Sequence, residues 1–288
     1  MRTRPTAWWL AQLRKRRARM TDEKLDLSCP VDFASDEERR AAVAFFNAAF
    51  RAEESGLRQA HELAGAMART DPDLAECLRL YGDEEGWHRE LLTAFLRRLG
   101  GDVRPMGPTT RTFYGIYARA RRMESIVLVN LMFETIGSTT YRLALRSARH
   151  PAVRQMLTIL TRDESFHVPL NVHFLRAALE RAPRGSRLRL RAIYHATFVA
   201  LLASTVPSRR RAQAFDGIPG DVLSRAYATE LARLFLEEDD LGLAPSPAFL
   251  ALLRLDRREL LGRGPSPVSL EAAEQAAERE SVTIDGYR

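Results

Sequence analysis

Apolar residues recur every three or four positions along most of this chain, which is the period of an amphipathic helix. The first two predicted helices cover about residues 36–67 and 72–99. Ser35 followed by Glu38 is a capping-box start for the first helix, and an Asp-Pro pair opens the second. A Gly-Gly pair directly after the second segment predicts its end.

Two further long helices are predicted at about residues 111–148 and 151–181. A loop with two prolines and a glycine, residues 100–110, precedes the third helix, and a His-Pro pair separates the third from the fourth. We find no convincing strand pattern, with its alternation of apolar and polar residues, before residue 180. This part of the chain therefore predicts four long helices in succession.

The last hundred residues predict shorter helices separated by prolines and glycines. The candidate segments are 187–205, 219–238, 246–262 and 268–280. We expect a basic N-terminal segment (residues 1–35), a helical bundle (residues 36–182) and a C-terminal helical extension packed on the bundle (residues 183–288). The arginine-rich segment 1–20 predicts a surface helix, either frayed or docked, with attachment to a membrane surface as the alternative.

Two Glu-x-x-His motifs carry the candidate chemistry. They are Glu85-Gly-Trp-His88 and Glu164-Ser-Phe-His167. Residues three apart lie on one face of a helix, so each motif can direct a carboxylate and an imidazole at the same point. Carboxylate oxygens combined with a few imidazole nitrogens suit iron or manganese better than the softer metals that prefer thiolates.

A second pair of glutamates repeats the pattern. Glu53 precedes Glu85, and Glu134 precedes Glu164, by nearly the same interval. An interval of about 30 residues corresponds to one helix, a turn, and the return to the same depth on an antiparallel neighbour. All four carboxylates lie on apolar stripes, where unpaired charges are costly and metal cations would compensate them.

One ligand position has a competitor. Glu53 lies within the apolar stripe of its helix, whereas Glu54 points about 100° further round it, toward arginines and a histidine. We expect Glu53 to be the ligand. Tyr81 and Tyr141 also lie on stripes that face the predicted centre, either as ordinary core tyrosines or as hydrogen-bond donors or redox-active phenols beside the ligands.

The duplicated pattern resembles the ferritin-like di-iron carboxylate superfamily over about residues 36–180. That resemblance implies an all-α, ferritin-like four-helix bundle with a long crossover between its second and third helices. The additional C-terminal helices predicted from the sequence would lie beyond this bundle. It also implies a ligand set for two ions, with Glu164 and either Glu85 or Glu134 bridging them. One ion would take Glu53, Glu85 and His88, and the other would take Glu134, Glu164 and His167.

The resemblance leaves several functions open. We expect a monooxygenase-type oxidoreductase with two iron ions, or manganese at one or both sites, and dioxygen as co-substrate. It would hydroxylate or N-oxygenate a small organic substrate in biosynthesis. The alternative is an iron-oxidising or oxidant-defence protein similar to ferritin or rubrerythrin. A histidine in each half of the set favours the oxygenase, and a non-catalytic scaffold would leave the ligand set without purpose.

Composition limits the partners. The net charge is +7, but the basic residues are spread along the chain, so no nucleic acid is expected. No apolar run is long enough to span a bilayer, and two distant cysteines predict no disulfide framework. We expect a cytoplasmic homodimer, supplied by an external electron donor and acting on a small molecule that is free or bound to an acidic carrier protein.

Overall fold

The computed structural model describes residues 4–22, 25, 31–107, 111, 114–115, 117, 120–183, 185–209, 212–263, 266 and 268–275. Within these residues the chain is helical and has no β-strand. The α-helices that can be given bounds are α1 (Thr6–Asp22), α2 (Asp36–Met67), α3 (Pro72–Arg98), α4 (Met123–Ser147), α5 (Pro151–Arg181), α6 (Ser186–Arg209), α7 (Gln213–Asp216), α8 (Gly220–Glu237), α9 (Pro247–Leu252) and α10 (Arg257–Gly262). A 3-10 turn at Asp239–Leu241 follows α8.

The long helices begin where the sequence places capping residues. The Ser35 hydroxyl accepts a hydrogen bond from the Glu38 amide, and the Glu38 carboxylate accepts one from the Ala34 amide. Asp71 caps α3 in the same way, by accepting a hydrogen bond from the Leu74 amide. Each cap satisfies backbone N–H groups that the first helical turn would leave without a partner.

Helices α2 to α5 form the bundle that contains the candidate site. The most extensive helix contacts join α2 with α3 and α4 with α5. Each of these pairs is connected by only a few residues, so its two helices run antiparallel. The buried apolar residues form one cluster toward each end of the bundle. The polar residues of the two motifs lie between these clusters, in the middle layer.

The prediction of one continuous helix over residues 111–148 is wrong at its start. Residues 111, 114, 115 and 117 are helical, but Ala120–Arg122 are not, and α4 begins only at Met123. The Tyr117 hydroxyl donates a hydrogen bond of 3.0 Å to the Ile126 carbonyl oxygen, nine residues later. A continuous helix would separate residues nine apart by about 13 Å along its axis, so this contact requires the break.

The C-terminal helices pack on the bundle through α6 and α8, which both contact α4. The predicted helix 246–262 is wrong in its middle, because Arg254 adopts a positive φ of 55° and separates α9 from α10. Residues 270–275 are helical, and the rest of the predicted segment 268–280 extends beyond the described residues.

Helix α1 also packs on the bundle, against α3. Its buried residues share one apolar cluster with the bundle and with α6 and α8. The division of the chain at residues 35 and 183 therefore remains a prediction. Among the described helices, none is both long and apolar enough to cross a membrane.

Candidate metal centre

The structure brings all six predicted ligands together in the middle layer of the bundle. Helix α2 contributes Glu53, α4 contributes Glu134, and α3 and α5 each contribute one Glu-x-x-His motif. Every one of the six side chains is buried. Their ligand atoms form two groups, within each of which all the atoms lie within 4.8 Å of one another.

The two groups share two carboxylates. Glu53, Glu85, His88 and Glu164 form the first group, and Glu85, Glu134, Glu164 and His167 form the second. Each group thus has its own histidine and its own unshared glutamate. Of the two alternatives for the second bridging residue, this geometry favours Glu85 over Glu134. The ligand roles themselves remain a prediction.

Glu54 lies outside this cluster. Its side chain is 36 % exposed and accepts a hydrogen bond of 2.5 Å from the Arg51 guanidinium, whereas Glu53 is 2 % exposed. Of these two glutamates, α2 therefore presents Glu53 and not Glu54 to the bundle interior.

We accordingly expect Glu53→Gln to weaken metal binding and Glu54→Gln to leave it unchanged. The first substitution removes a buried anionic oxygen donor from the cluster, and the second removes a partly exposed ion pair that contributes little. Titration of the metal-free variants with ferrous iron measures the difference. Equal affinities, or a larger loss in Glu54→Gln, would show that α2 presents a different face.

Several buried atoms in the cluster fit metal ions and are otherwise left without partners. Among the described residues, Glu85 Oε1, Glu164 Oε2 and His167 Nδ1 make no hydrogen bond. His167 Nδ1 lies 3.0 Å from Glu85 Oε1, but the two atoms are not aligned for a hydrogen bond. Buried polar atoms without partners are costly, and coordination to a cation would satisfy all three.

Electrostatics support the same conclusion. Burial and the neighbouring Glu53 carboxylate raise the pKa of Glu85 well above its ordinary value. Burial and the neighbouring Glu134 carboxylate do the same for Glu164. Two bound cations would reverse this repulsion and hold both shared carboxylates ionised. The cluster is therefore suited to two metal ions.

A glycine one turn after each unshared glutamate leaves room for the shared carboxylates. A Cβ atom at Gly56, on α2, would lie 3.3 Å from the Glu85 carboxyl carbon. A Cβ atom at Gly137, on α4, would lie 3.9 Å from Glu164 Oε2. Gly56 thus permits a close approach between α2 and the Glu85 side chain, and Gly137 repeats the arrangement with more space.

Two acidic residues that the sequence analysis did not identify orient the histidines. Asp163 Oδ2 lies 3.1 Å from His88 Nε2 in a hydrogen bond, and Glu84 Oε2 lies 3.4 Å from His167 Nε2, a distance that suits an ion pair although the two atoms are not aligned for a hydrogen bond. Each acid directly precedes one Glu-x-x-His motif and contacts the histidine of the other. A carboxylate at Nε2 holds the proton there and leaves Nδ1 facing the cluster. The sequence contained this signal, since both motifs read acid-Glu-x-x-His.

Arginines from α1 neutralise these two acids. Burial alone would raise the pKa of Glu84, but the Arg16 guanidinium and the neighbouring His167 together outweigh burial and hold this pKa well below its ordinary value. Burial also acts to raise the pKa of Asp163, but Arg16, His88 and Arg162 together hold it well below its ordinary value. Glu84, His88 and Asp163 form a third group with metal-ligand spacing, but the Arg16 guanidinium contacts both of its acids. This third group is thus better explained as an arginine site than as a metal site.

The two tyrosines on the predicted stripes contact the unshared glutamates. The Tyr81 hydroxyl donates a hydrogen bond to Glu134 Oε1, and the Tyr141 hydroxyl donates one of 3.2 Å to Glu53 Oε1. Asn130 Nδ2 in turn donates a hydrogen bond of 2.8 Å to the Tyr81 hydroxyl oxygen. Both tyrosines are therefore buried donors that orient the carboxylates.

A cavity of about 30 Å³ adjoins the cluster. Four glutamates of the cluster line one side of it, and aromatic side chains line much of the rest. The aromatic residues are Tyr114, Tyr117, Phe133 and Tyr141. This volume suits a molecule the size of water or dioxygen rather than a larger organic compound.

Comparison with known proteins supports the fold. No family model and no curated protein sequence matches this chain. The structure is similar to protein 19 with aldehyde deformylating oxidase activity from Synechococcus. The TM-score is 0.57 at 20 % sequence identity, and the alignment covers 78 % of this chain and 99 % of that one. At this identity the similarity shows the fold alone, which confirms the predicted ferritin-like helical bundle.

Proposed function

We propose that the chain is a di-iron oxidoreductase that uses dioxygen to oxidise a small organic substrate by hydroxylation or N-oxygenation. The observation that carries this proposal is the pair of buried ligand groups, each with its own histidine, which share Glu85 and Glu164 beside a small cavity. The aldehyde deformylating oxidase activity of the Synechococcus protein supports oxidative chemistry on this fold.

The residues of the centre have separate tasks. Glu85 and Glu164 would be shared by the two ions, Glu53 and His88 would hold one ion, and Glu134 and His167 would hold the other. Iron, when bound, supplies the redox chemistry that amino-acid side chains lack. The buried tyrosine hydroxyls on Glu53 and Glu134 fix which carboxylate oxygen faces the ions.

The cavity sets limits on the substrate. Aromatic side chains line much of it, and its volume accommodates dioxygen next to the four glutamates. An organic substrate needs more space than this, so we propose that side chains along the cavity move when the substrate binds. Tyr114 and Tyr117 lie in the segment before α4, where the helix is interrupted, and are the residues that we expect to move.

The reaction requires a reductant. If one oxygen atom enters the substrate and the other leaves as water, two electrons and two protons must come from outside. We therefore propose an external electron donor as a partner. The net charge of +7 favours an acidic one, and it also favours a substrate bound to an acidic carrier protein.

Oxygen stoichiometry tests the proposal. Protein loaded with about two ferrous ions per chain should consume dioxygen in proportion to protein, and then stop until a reductant is supplied. Further turnover should require both reductant and an oxidisable substrate. Glu54→Gln protein is the matched control and should behave like the wild type.

A different result would identify an iron-oxidising protein instead. If added ferrous iron is oxidised far beyond two ions per chain and a mineral accumulates, the oxygenase proposal is wrong while the metal centre stands. If the loaded protein consumes no dioxygen, both of these functions are wrong.

A further inference from the structure

One side chain of helix α1, that of Arg16, reaches the centre of the bundle. Arg16 is 5 % exposed although it belongs to a strongly basic segment. Its Nε donates a hydrogen bond of 3.1 Å to Glu84 Oε2, and its Nη2 donates one of 2.5 Å to Glu84 Oε1. The same Nη2 donates a hydrogen bond of 2.7 Å to Asp163 Oδ1. One guanidinium thus joins the two acids that orient the two histidines.

The rest of α1 holds this guanidinium in place. Trp9 and Leu13 lie on the same face of the helix as Arg16 and are almost completely buried. The Trp9 ring packs edge-on against Phe166, with 5.4 Å between the ring centroids. The Arg16 guanidinium lies over the same Phe166 ring, 4.3 Å from its centroid. The docking of α1 on the bundle therefore also fixes the position of the Arg16 guanidinium.

We propose that Arg16 is a positioning residue for the metal centre, and that through it the docking of α1 and the binding of metal stabilise each other. This inference rests on the di-metal centre of the proposed function but not on its oxygen chemistry. Arg16 holds Glu84 and Asp163 in place. Asp163 is hydrogen-bonded to Nε2 of His88, and Glu84 lies 3.4 Å from Nε2 of His167, so both imidazoles present Nδ1 to the glutamates of the cluster. Coupling between two sites is reciprocal, so metal binding must also stabilise the docked helix.

The two halves of the centre should depend on Arg16 unequally. Asp163 also accepts hydrogen bonds from Arg19, at 2.9 Å, and from Arg162, at 2.8 Å. Arg19 lies 3.8 Å from Glu84, which is beyond hydrogen-bond distance. Glu84 therefore relies on Arg16 more than Asp163 does, and the half of the centre that contains His167 should be the more sensitive one.

The test compares Arg16→Met with Arg14→Met in the full chain. Arg14 is on the same helix and also pairs with a glutamate of α3, Glu76, but its side chain is 59 % exposed. We would titrate the metal-free proteins with cobalt(II), whose visible absorption reports the ligands around it. Loss of a partner behind a metal-ligating histidine typically weakens metal binding about 10- to 100-fold. We expect a loss of that size for at least the weaker ion in Arg16→Met, and none in Arg14→Met.

Hydrogen exchange supplies a readout that simple destabilisation would not give. In the wild type and in Arg14→Met, cobalt(II) should slow amide exchange in α1. In Arg16→Met, the metal should still slow exchange in α3 and α5 at saturating concentration, but its effect on α1 should be lost. If cobalt(II) protects α1 equally in Arg16→Met and the wild type, or if their affinities are equal, the inference is wrong.

A second variant keeps the test possible if Arg16→Met does not fold. Arg16→Met leaves two buried carboxylates close together, and Arg16→Met/Glu84→Gln removes one of these charges. We expect the double variant to fold as the wild type does, judged by circular dichroism, and still to bind cobalt(II) more weakly at the half that contains His167. Wild-type affinity in this folded variant would also overturn the inference. If the wild type itself binds no pair of ions, both this inference and the proposed function are wrong.

Discussion

Glu164→Gln should release both metal ions, whereas Glu134→Gln should release mainly one. Glu164 belongs to both ligand groups, and Glu134 belongs only to the group that contains His167. Glutamine keeps the volume of the side chain but removes the anionic charge that would hold both ions. We expect the same contrast between Glu85→Gln, in the shared position, and Glu53→Gln, in the unshared position of the other group.

Metal analysis of protein produced with iron and then desalted measures this effect. The wild type should retain about two ions per chain, the shared-position variants close to none, and the unshared-position variants about one. Glu54→Gln is the control for loss of a glutamate near the site and should retain the wild-type content. Retention of two ions by Glu164→Gln would refute the shared role of this carboxylate.

Removal of the metal should lower the melting temperature of the wild-type protein by about 10 °C. Ions that bind only the folded state at a thousandfold excess over the dissociation constant add about 4 kcal/mol to the free energy of unfolding. For a chain of this size, each kcal/mol shifts the melting temperature by about 2–4 °C. Added ferrous iron should restore the temperature, and it should have no such effect on Glu164→Gln.

The stabilisation by metal should grow as the pH rises from about 5 to 8. In the metal-free protein, burial and carboxylate neighbours raise the pKa of Glu85 and Glu164. Burial would lower the pKa of His88, but hydrogen bonds to Asp163 and Glu53 outweigh it and raise this pKa to about 10. Groups with a raised pKa stabilise the fold below their unfolded pKa and lose this contribution as the pH rises through the folded value.

Metal binding removes these protons, because carboxylate and neutral imidazole are the ligands. The metal-loaded protein therefore avoids the loss of stability that the metal-free protein undergoes. Thermal melts at several pH values, with and without a chelator, measure the gap between the two forms. A gap that narrows with rising pH would contradict these pKa directions.

Local sequence signals were sufficient for much of the fold and for the central residues of the site. The capping residues set the beginnings of α2, α3 and α5, and the two Glu-x-x-His motifs with their distant glutamate partners placed six side chains in one layer. These features depend on helical periodicity and on spacings within one pair of helices. Helical periodicity and residue spacing can both be read directly from the sequence.

The features that were missed depend on contacts between distant segments. The Tyr117 hydroxyl bond to Ile126 requires a break in the third predicted helix, and neither proline nor glycine lies at residues 120–122, where the helix is interrupted. Arg16 pairs with acids 68 and 147 residues away, and it looks like any other arginine of a basic segment. Glu84 and Asp163 could have been found, because an acid precedes the Glu-x-x-His motif both times.

X-ray diffraction from iron-loaded crystals at the iron absorption edge tests most directly whether two metal ions share Glu85 and Glu164. We expect two anomalous peaks about 3.5–4 Å apart, which is the usual spacing of ions that share bridging ligands. One peak should lie beside His88 Nδ1 and the other beside His167 Nδ1, with both shared carboxylates between them. A single peak, or a peak among Glu84, His88 and Asp163 in place of the Arg16 guanidinium, would contradict this arrangement.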